Sequence, residues 1–333
     1  MEKGLLQIIE NLLTRGKISD IHFSPNRPIY YRLESGKLQK CDEIILSDDE
    51  LRNLLIEANL LDDFDDYKNK DTNFTSSNFN FSARVNIFQE SQGTAASFRI
   101  IYREIPDLKN LFIPNTIRDF IYKEHGLLVI AGPTGAGKST TIASLIQVIH
   151  QDTSQCKHII TLEDPIEYYY GDGYSLISQR MIGVHCNSFA DGLREALRED
   201  PDIIVVGEMR DADTIKTALT AAETGHLVLT TLHSANTIEA VDRFLQYVQS
   251  ADIEPVRAQL ANCFEAIVAQ KLIPSKKDSK KRVPAFEILT RNMATTNLIR
   301  NGRHHNITSY LNKQDGMISF KDYMETLSLR GLI

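Results

Sequence analysis

The sequence has 333 residues, a length that favours two domains over a single core. Hydrophobic residues make up 42% of the chain and charged residues 24%, which is ordinary for a globular protein, and the formal net charge of −7 at pH 7 disfavours a general nucleic-acid-binding protein. The four cysteines form no C-x-x-C pair and no run of about 18 apolar residues occurs, so a structural zinc site, a disulfide framework and a membrane-spanning helix are not expected.

Residues 1–104 have the pattern of an α+β domain. Apolar residues at helical spacing predict an amphipathic first helix that ends at about residue 15. An acidic second helix is predicted from Ser47 to about Tyr67, with Ser47 as its N-cap and Glu50 at the third helical position. The predicted strands are Pro28–Leu33, Lys37–Lys40, Phe79–Gln89 and Thr94–Tyr102.

Residues 113–333 follow a different pattern, in which helical segments alternate with short, continuously apolar runs. The apolar runs are Leu127–Ala131, His158–Leu162, Ile203–Val206 and Leu227–Leu232. This alternation is typical of a mostly parallel sheet with helices on both faces, and the segment 105–112 before it is predicted to be a linker. The basic segment 275–282 is interpreted as a solvated loop, with a contact to acidic lipid or a partner as the alternative.

The strongest local signal is the segment GPTGAGKS at 132–139, which matches the phosphate-binding pattern G-x-x-x-x-G-K-[ST] in full. A predicted strand precedes it and a predicted helix, Thr140–His150, follows it, as this pattern requires. The glycines allow backbone N–H groups to surround phosphate oxygens at the positive end of that helix. We expect Lys138 to neutralise the β- and γ-phosphate oxygens and Ser139 to ligate Mg²⁺. The residues expected to bind the nucleotide are Gly132, Pro133, Thr134, Gly135, Ala136, Gly137, Lys138, Ser139 and Thr140.

Acidic residues follow two other predicted strands. The run Ile203–Val206 leads into Gly207 and Glu208, so a glycine stands where a Walker B strand usually carries the Mg-ordering aspartate. Glu208 is expected at the carboxyl end of its strand, where it can orient or deprotonate an attacking water. The segment 161–167 also follows a strand and can supply the missing carboxylate, with ordinary turn chemistry before its proline as the alternative. Its acids are Glu163, Asp164 and Glu167.

Two histidines, His226 and His233, bracket the last apolar run. Seven residues at about 3.3 Å each separate their Cα atoms by roughly 23 Å, and the odd spacing directs the side chains to opposite faces of a strand. One metal ion therefore cannot hold both. His226 is interpreted as fixing the turn before the strand, or an interface. His233 is expected at the same sheet edge as Glu208, from where a ring nitrogen can sense a γ-phosphate.

Together these segments resemble the motifs of the secretion-ATPase superfamily of type II secretion and type IV pilus systems, which are a Walker A loop, an Asp box, a Walker B strand ending in Gly-Glu and a His box. Here they read GPTGAGKST (132–140), TLEDPIEY (161–168), LREDPDIIVVGEMRD (197–211) and TAAETGHLVLTTLHSANT (220–237). Their order and spacing are similar to those of the PilT-like branch, the type IV pilus retraction ATPases. The likeness extends to the N-terminal segments 19–22, 83–86 and 97–99.

The resemblance implies an α/β protein with a PAS-like N-terminal domain and a RecA-like P-loop ATPase domain, assembled as a homo-hexamer that uses ATP and Mg²⁺. It would make Glu208 the catalytic glutamate, Glu163 the Asp-box acid that binds Mg²⁺ directly or through water, and His233 the His-box residue near the γ-phosphate. Arg84 and Arg99 match family arginines that reach a nucleotide across a domain or subunit boundary, where delocalised charge stabilises the transferred phosphoryl group. A strand arginine paired with an acidic neighbour is the alternative for each.

Two features bear on the branch of the superfamily. The tetracysteine zinc site and the longer N-terminal region of the extension motors are missing, which favours retraction. The segment ATTNLIR at 294–300 resembles the retraction-branch helix A-I-R-N-L-I-R, but Thr296 replaces an arginine, which keeps a type II or type IVB secretion or conjugation motor as the alternative. Gly207 leaves a nucleotide-dependent switch with little hydrolysis as a further alternative, beside a nucleic-acid motor.

The leading hypothesis is a cytoplasmic motor ATPase, peripheral at the cytoplasmic face of the inner membrane, that couples ATP hydrolysis to pilus retraction in twitching-type motility. The expected partners are further copies of the chain and an inner-membrane platform protein, and no nucleic acid is expected. Arg194 and Arg198, on the predicted helix before the Walker B strand, are interpreted as structural or interface charges.

Overall fold

The computed structural model describes residues 4–33, 36–62, 68–75, 81–102, 105–277, 282–311 and 314–333. The chain divides into two compact units, Met1–Glu104 and Ile105–Ile333. Parts of three predicted features lie outside the described residues. They are residues 63–67 of the second helix, residues 79–80 of a strand and residues 278–281 of the basic loop.

In its described residues, the first unit is a six-stranded antiparallel sheet with two helices. Its helices are α1 (Leu5–Leu13) and α2 (Asp48–Glu57), and its strands are β1 (Ile18–Phe23), β2 (Pro28–Leu33), β3 (Leu38–Ile45), β4 (Asn69–Thr75), β5 (Phe81–Glu90) and β6 (Gly93–Tyr102). The strand order is β3-β2-β1-β6-β5-β4, and every described pairing is antiparallel. The apolar residues of α1 at helical spacing are buried in the core of this unit, as the amphipathic pattern predicts.

Helix α2 begins as the sequence predicts but ends much earlier. The Ser47 hydroxyl accepts a hydrogen bond from the Glu50 N–H, and the Glu50 carboxylate accepts one from the Ser47 N–H, which completes a capping box. The helix ends at Glu57 because Asn59 adopts a left-handed conformation with φ of 55°, and its N–H bonds back to a carbonyl of the last turn. The predicted helix was therefore wrong over residues 58–62, the part of the extension that the structure describes.

The second unit is a seven-stranded sheet with helices on both faces. Its strands are β7 (Gly126–Ala131), β8 (His158–Glu163), β9 (Leu176–Met181), β10 (Ile203–Val206), β11 (Leu227–Leu232), β12 (Phe264–Pro274) and β13 (Arg282–Thr290). Its helices are α3 (Asn115–Phe120), α4 (Lys138–His150), α5 (Phe189–Ala196), α6 (Ala212–Glu223), α7 (Thr237–Gln246), α8 (Ile253–Cys263), α9 (Met293–Arg300) and α10 (Phe320–Leu329). The strand order is β13-β12-β7-β11-β10-β8-β9, and only the β12/β13 pair among the described pairings is antiparallel.

The segment 105–112, predicted to be a linker, is counted with the second unit. It contains a 3₁₀ helix at Leu108–Leu111, and the Ser144 hydroxyl on α4 donates a hydrogen bond of 2.8 Å to the Pro106 carbonyl. Further 3₁₀ helices of this unit are Ser250–Asp252, His304–Tyr310 and Gln314–Gly316. In the part of the chain that the structure describes, no helix is both long enough and apolar enough to cross a bilayer.

The four apolar runs form the centre of this sheet as β7, β8, β10 and β11. Alternate residues of β7 enter different cores, because Leu127 and Val129 pack with α5 to α8 on one face, whereas Leu128 and Ile130 pack with α3, α4 and α10 on the other. Full burial of one such side chain is worth about 1.5–3 kcal/mol, so burial on both faces holds these strands firmly in place. Their carboxyl ends consequently form a fixed edge at which loop residues can be positioned.

Three strands of the second unit were not predicted. Strand β9 has the sequence LISQRM, in which three consecutive polar residues interrupt the apolar ones, and its first residue, Leu176, is 63% exposed, so it has no continuous apolar run. Strands β12 and β13 extend the opposite side of the sheet, where β12 is parallel to β7. The predicted centre of the sheet is thus flanked on both sides, which leaves its strands buried.

Candidate nucleotide-binding site

The phosphate-binding loop connects β7 to α4. Gly135 and Gly137 have φ angles of 75° and 85°, which are left-handed values that glycine adopts without steric cost. A Cβ atom at Gly132 would collide with the carbonyl oxygen of Gln270 on β12, so glycine at this position allows the loop to approach that strand. Helix α4 begins directly at Lys138, with its N-terminal end at the loop.

Lys138 is buried, and its ammonium group bonds to the loop itself. Its Nζ donates hydrogen bonds to the carbonyl oxygens of Gly132 (2.9 Å) and Pro133 (3.1 Å). Burial lowers the pKa of Lys138, while the charges of Glu208 and Glu167 act in the opposite direction. A phosphate oxygen offers this cation a charge-assisted hydrogen bond that a neutral carbonyl does not, so the site favours an anion.

Gln270 fixes the loop from strand β12. Its Nε2 donates a hydrogen bond of 2.7 Å to the Ala136 carbonyl, and its Oε1 accepts one of 2.8 Å from the Thr141 hydroxyl on α4. Gln270 is only 3% exposed, so both bonds are shielded from water. Gln270 was not predicted as a site residue, although a glutamine inside the apolar run of β12 is the signal that marks it.

Glu163 ends strand β8, where its carboxylate is held by two side chains. The Thr161 hydroxyl donates to Oε1 at 2.6 Å, and the Gln179 amide on β9 donates to the same oxygen at 3.2 Å. Burial raises the pKa of Glu163, and the bonds from Thr161 and Gln179 oppose this by stabilising the charged form. Gln179 also donates to the Tyr168 carbonyl at 2.8 Å, so it connects the Glu163 carboxylate to the segment that follows. Neither Gln179 nor its strand β9 was predicted from the sequence.

Glu208 follows strand β10, and both of its carboxylate oxygens have partners. His233 Nε2 lies 3.4 Å from Oε1, and Arg210 Nη2 lies 2.6 Å from Oε2. Burial, and then the charge of Lys138, lowers the pKa of His233, which favours the neutral imidazole at pH 7. Arg210 was not predicted as a site residue, although it lies only two residues after Glu208 in the sequence.

These residues line a single cavity in the second unit. The predicted site residues among its lining are Thr134, Gly135, Lys138, Ser139, Glu163, Glu208 and His233. Arg210, Tyr168 and Tyr170 line it as well. The other predicted loop residues shape the loop or form hydrogen bonds beside the cavity; they are Gly132, Pro133, Ala136, Gly137 and Thr140. The Thr140 hydroxyl lies 2.8 Å from the Tyr168 hydroxyl. Cations, carboxylates and a neutral imidazole therefore converge on one anion-binding pocket.

The oxygen atoms in this cavity fit a magnesium ion. Ser139 presents a hydroxyl beside the phosphate-binding loop, and Glu163 presents a carboxylate from the neighbouring strand end. Mg²⁺ prefers oxygen ligands and is usually bound by one or two protein groups together with substrate phosphates. The donors present are of this kind.

His226 lies at the other end of β11 from His233. Its backbone N–H and its ring Nδ1 both lie 3.2 Å from the Ala221 carbonyl at the end of α6. This contact fits the interpretation of His226 as a residue that fixes the turn before the strand.

Arg84 and Arg99 belong to the first unit and lie directly opposite each other on β5 and β6. Arg99 Nε donates a hydrogen bond of 3.1 Å to Asp20 on β1. Both arginines line a second cavity with Asp20, Asp71 and other polar residues of the same sheet. Arg99 is therefore paired with an acidic neighbour, which is the alternative stated for it from the sequence. The cavity around Lys138 is lined by residues of the second unit, and these arginines are not among them.

The fold and the cavity define a P-loop nucleotide-binding protein of the α/β class. Residues 2–318 match the family model described as "Type II/IV secretion system protein", and the chain belongs to this family. The resemblance inferred from the motifs and the predicted fold class are thereby confirmed.

Three similar proteins illustrate the family. The "Uncharacterized protein YggR" of Escherichia coli (strain K12) is 37% identical over 327 residues, covering 95% of this chain and 96% of that protein. The "Twitching motility protein" of Neisseria gonorrhoeae is 42% identical over 252 residues, covering 75% of this chain and 67% of that protein. The crystal structure of the pilus retraction motor PilT with bound ADP superimposes with a TM-score of 0.87 at 36% identity, covering 99% of this chain and 94% of that one.

Proposed function

We propose that this protein is an ATP-hydrolysing motor of the PilT-like class, which couples hydrolysis to type IV pilus retraction. One observation carries the proposal: the phosphate-binding loop, Glu163, Glu208 and His233 line one cavity at the carboxyl edge of the parallel sheet. The likeness to a pilus retraction motor with bound ADP and to a twitching motility protein supports ATP as the nucleotide and the pilus as the load.

Phosphate binding is the task of the loop and of Lys138. The glycine conformations leave backbone N–H groups free to face a phosphate at the N-terminal end of α4. Phosphate oxygens compete with the Gly132 and Pro133 carbonyls for the Lys138 ammonium, and they win because they are charged. The loop itself stays in place because Gln270 holds the Ala136 carbonyl.

Ser139 and Glu163 would hold Mg²⁺, Ser139 by its hydroxyl and Glu163 directly or through water. The ion would neutralise charge on the β- and γ-phosphate oxygens. Thr161 and Gln179 keep the half-buried Glu163 carboxylate oriented and favour its ionised form.

Glu208 is the group that orients or deprotonates the attacking water, and neutral His233 beside it senses the γ-phosphate. Gly207 carries no carboxylate, so Glu163 on the adjacent strand β8 takes over the metal-ordering role. This arrangement keeps a hydrolytic centre despite the unusual Walker B ending, which favours a motor over a nucleotide-dependent switch.

The proposed working form is a homo-hexamer at the cytoplasmic face of the inner membrane, acting on a platform protein of the pilus machine. Arg84 and Arg99 would approach the nucleotide from the first unit, where their paired positive charge stabilises the transferred phosphoryl group. The domain scheme proposed for this motor keeps residues 1–104 as the PAS-like part and 113–333 as the ATPase part.

Steady-state ATP hydrolysis by the purified chain tests the enzymatic part of the proposal. Lys138→Ala and Glu208→Gln should each abolish turnover, because one removes the phosphate-binding cation and the other the group that acts on water. Wild-type hydrolysis by either variant would contradict it. A deletion strain tests the biological part, because loss of a retraction motor leaves cells with excess pili that do not retract.

A secretion or conjugation motor is the second candidate, and Thr296 is the feature that favours it. The predicted helix at the C-terminal segment is present as α9, with Asn292 and Thr295 forming its capping box and Thr296 half-buried in its first turn. A threonine there cannot make the long-range charged contact of the arginine in the retraction-branch motif. Deletion cells with normal retraction but a lost export or pilus-assembly function would favour this candidate.

A further inference from the structure

Arg210 forms an ion pair with the carboxylate of Glu208, and the proposed hydrolysis gives this contact no role. Its Nη2 lies 2.6 Å from Glu208 Oε2, so the two side chains form a close ion pair. The Glu208 side chain is 17% exposed, whereas the Arg210 side chain is 62% exposed. The acid is therefore confined inside the pocket, and the cation that covers it has the freedom to move.

The segment between β10 and α6 holds the backbone on both sides of Arg210. Met209 is fully buried between the two charged residues and anchors the backbone to the core. Asp211 caps α6 by accepting a hydrogen bond of 2.8 Å from the Thr214 N–H, which fixes the other end of the segment. Side-chain rotation of Arg210 is thus sufficient to break its bond to Glu208, and no backbone movement is needed.

A carboxylate engaged by arginine is a poor base. The guanidinium neutralises its charge and occupies the oxygen that would otherwise accept a proton from water. His233 lies beside the other oxygen at 3.4 Å, so water competes for both positions. Glu208 can act on a water molecule only after Arg210 has moved to another partner.

The γ-phosphate of a bound nucleotide is the alternative partner for Arg210 in this pocket. Arg210 lines the same cavity as Thr134, Lys138 and Ser139. The planar guanidinium donates two parallel hydrogen bonds to phosphate as readily as to carboxylate, and a terminal phosphate carries more charge than one carboxylate. Arrival of that phosphate therefore draws Arg210 away from Glu208.

We propose that Arg210 is a γ-phosphate-responsive clamp on Glu208, which leaves Glu208 when a nucleoside triphosphate binds and thereby frees this carboxylate for water. The clamp rests on the proposed ATPase function and adds a regulatory step to it. A diphosphate, which lacks the attracting group, leaves Arg210 on Glu208, so the base is covered after phosphate release.

A double-mutant cycle on nucleotide affinity tests the clamp. The full-length chain is titrated with Mg-ADP and with the Mg complex of a non-hydrolysable β,γ-imido ATP analogue, in the wild type, Glu208→Gln, Arg210→Ala and the double variant. Glu208→Gln removes the competing charge and frees Arg210, so the analogue should bind about tenfold more tightly while ADP affinity stays the same. Arg210→Ala should weaken analogue binding about tenfold, and the double variant should show none of the gain.

Controls separate a clamp from a structural role. Arg194→Ala removes another exposed arginine that pairs with a carboxylate, Asp191 at 2.8 Å, but does not line the cavity, so it should leave both affinities unchanged. Arg210→Lys keeps the charge without the two-pronged geometry and should restore analogue binding in part. A structural defect would instead weaken ADP and analogue binding alike.

The outcomes distinguish the clamp from the function on which it rests. An unchanged ratio of analogue to ADP affinity in Glu208→Gln or Arg210→Ala overturns the clamp. If the wild-type chain binds neither nucleotide, or hydrolyses ATP no faster than Lys138→Ala, the proposed ATPase function fails and the clamp fails with it.

Discussion

Replacing Gln270 by leucine should weaken both the fold and nucleotide binding, because this one side chain joins the phosphate-binding loop to strand β12. Leucine has a similar size but cannot make the bonds to the Ala136 carbonyl and the Thr141 hydroxyl. Both partners would then be buried without a hydrogen bond, and each such group costs about 1–3 kcal/mol. The expected loss in the free energy of unfolding is therefore about 2–6 kcal/mol, a large part of the stability of a typical domain.

The chain contains no tryptophan, so urea unfolding is best followed by far-ultraviolet circular dichroism, and ADP affinity by calorimetry. Gln259→Leu is the matched control, since Gln259 donates a hydrogen bond of 3.1 Å to Glu223 on an exposed surface. That variant should change stability by less than about 0.5 kcal/mol. The reasoning is refuted if Gln270→Leu unfolds at the same urea concentration as Gln259→Leu and binds ADP as tightly as the wild type.

Two further predictions concern the catalytic groups. His233→Ala should lower the rate of ATP hydrolysis at least about tenfold while nucleotide affinity is nearly retained, and equal losses in both would count against a sensor role. Gln179→Leu removes a hydrogen bond that stabilises the Glu163 carboxylate, so the pKa of Glu163, already raised by burial, should rise further. Protonation of Glu163 removes the charge proposed to bind the metal. On acidification the variant should therefore lose activity at a higher pH than the wild type, and the measurement is a pH profile of kcat/KM at saturating Mg²⁺. An acid limb identical to that of the wild type would contradict this role for Gln179.

Features that depend on residues close together in the sequence could be predicted, and features that depend on distant residues could not. The phosphate-binding loop and the capping box of α2 depend on contiguous residues, and both are present as predicted. The buried strands β7, β8, β10 and β11 were recognisable because burial on both faces requires a continuous apolar run. Strand β9 lies at the edge of the sheet, contains three consecutive polar residues, and was missed.

Residues that support the site were missed because their partners are remote in sequence. Gln270 bonds to residues more than 120 positions away, and Gln179 bonds to Glu163 across two strands that only the fold makes neighbours. The helix prediction beyond Glu57 failed for the opposite reason, since a single left-handed residue, Asn59, ended a segment that still looked helical. Arg210 was close in sequence, but its bond to Glu208 depends on side-chain geometry that spacing does not give.

Gly207 lies at the end of β10 in a position with little space for a side chain. A Cβ atom there would lie 3.0 Å from the Leu162 carbonyl of β8, which is closer than side-chain atoms normally approach. The Gly207 N–H donates to that same carbonyl at 2.8 Å, and its own carbonyl accepts a bond of 2.6 Å from the Thr231 hydroxyl of β11. The end of β10 is thus held tightly between β8 and β11, with little room for an aspartate. Under the proposed function the metal-binding carboxylate is that of Glu163 on the neighbouring strand β8, which leaves position 207 small and keeps both acids, Glu163 and Glu208, in one cavity.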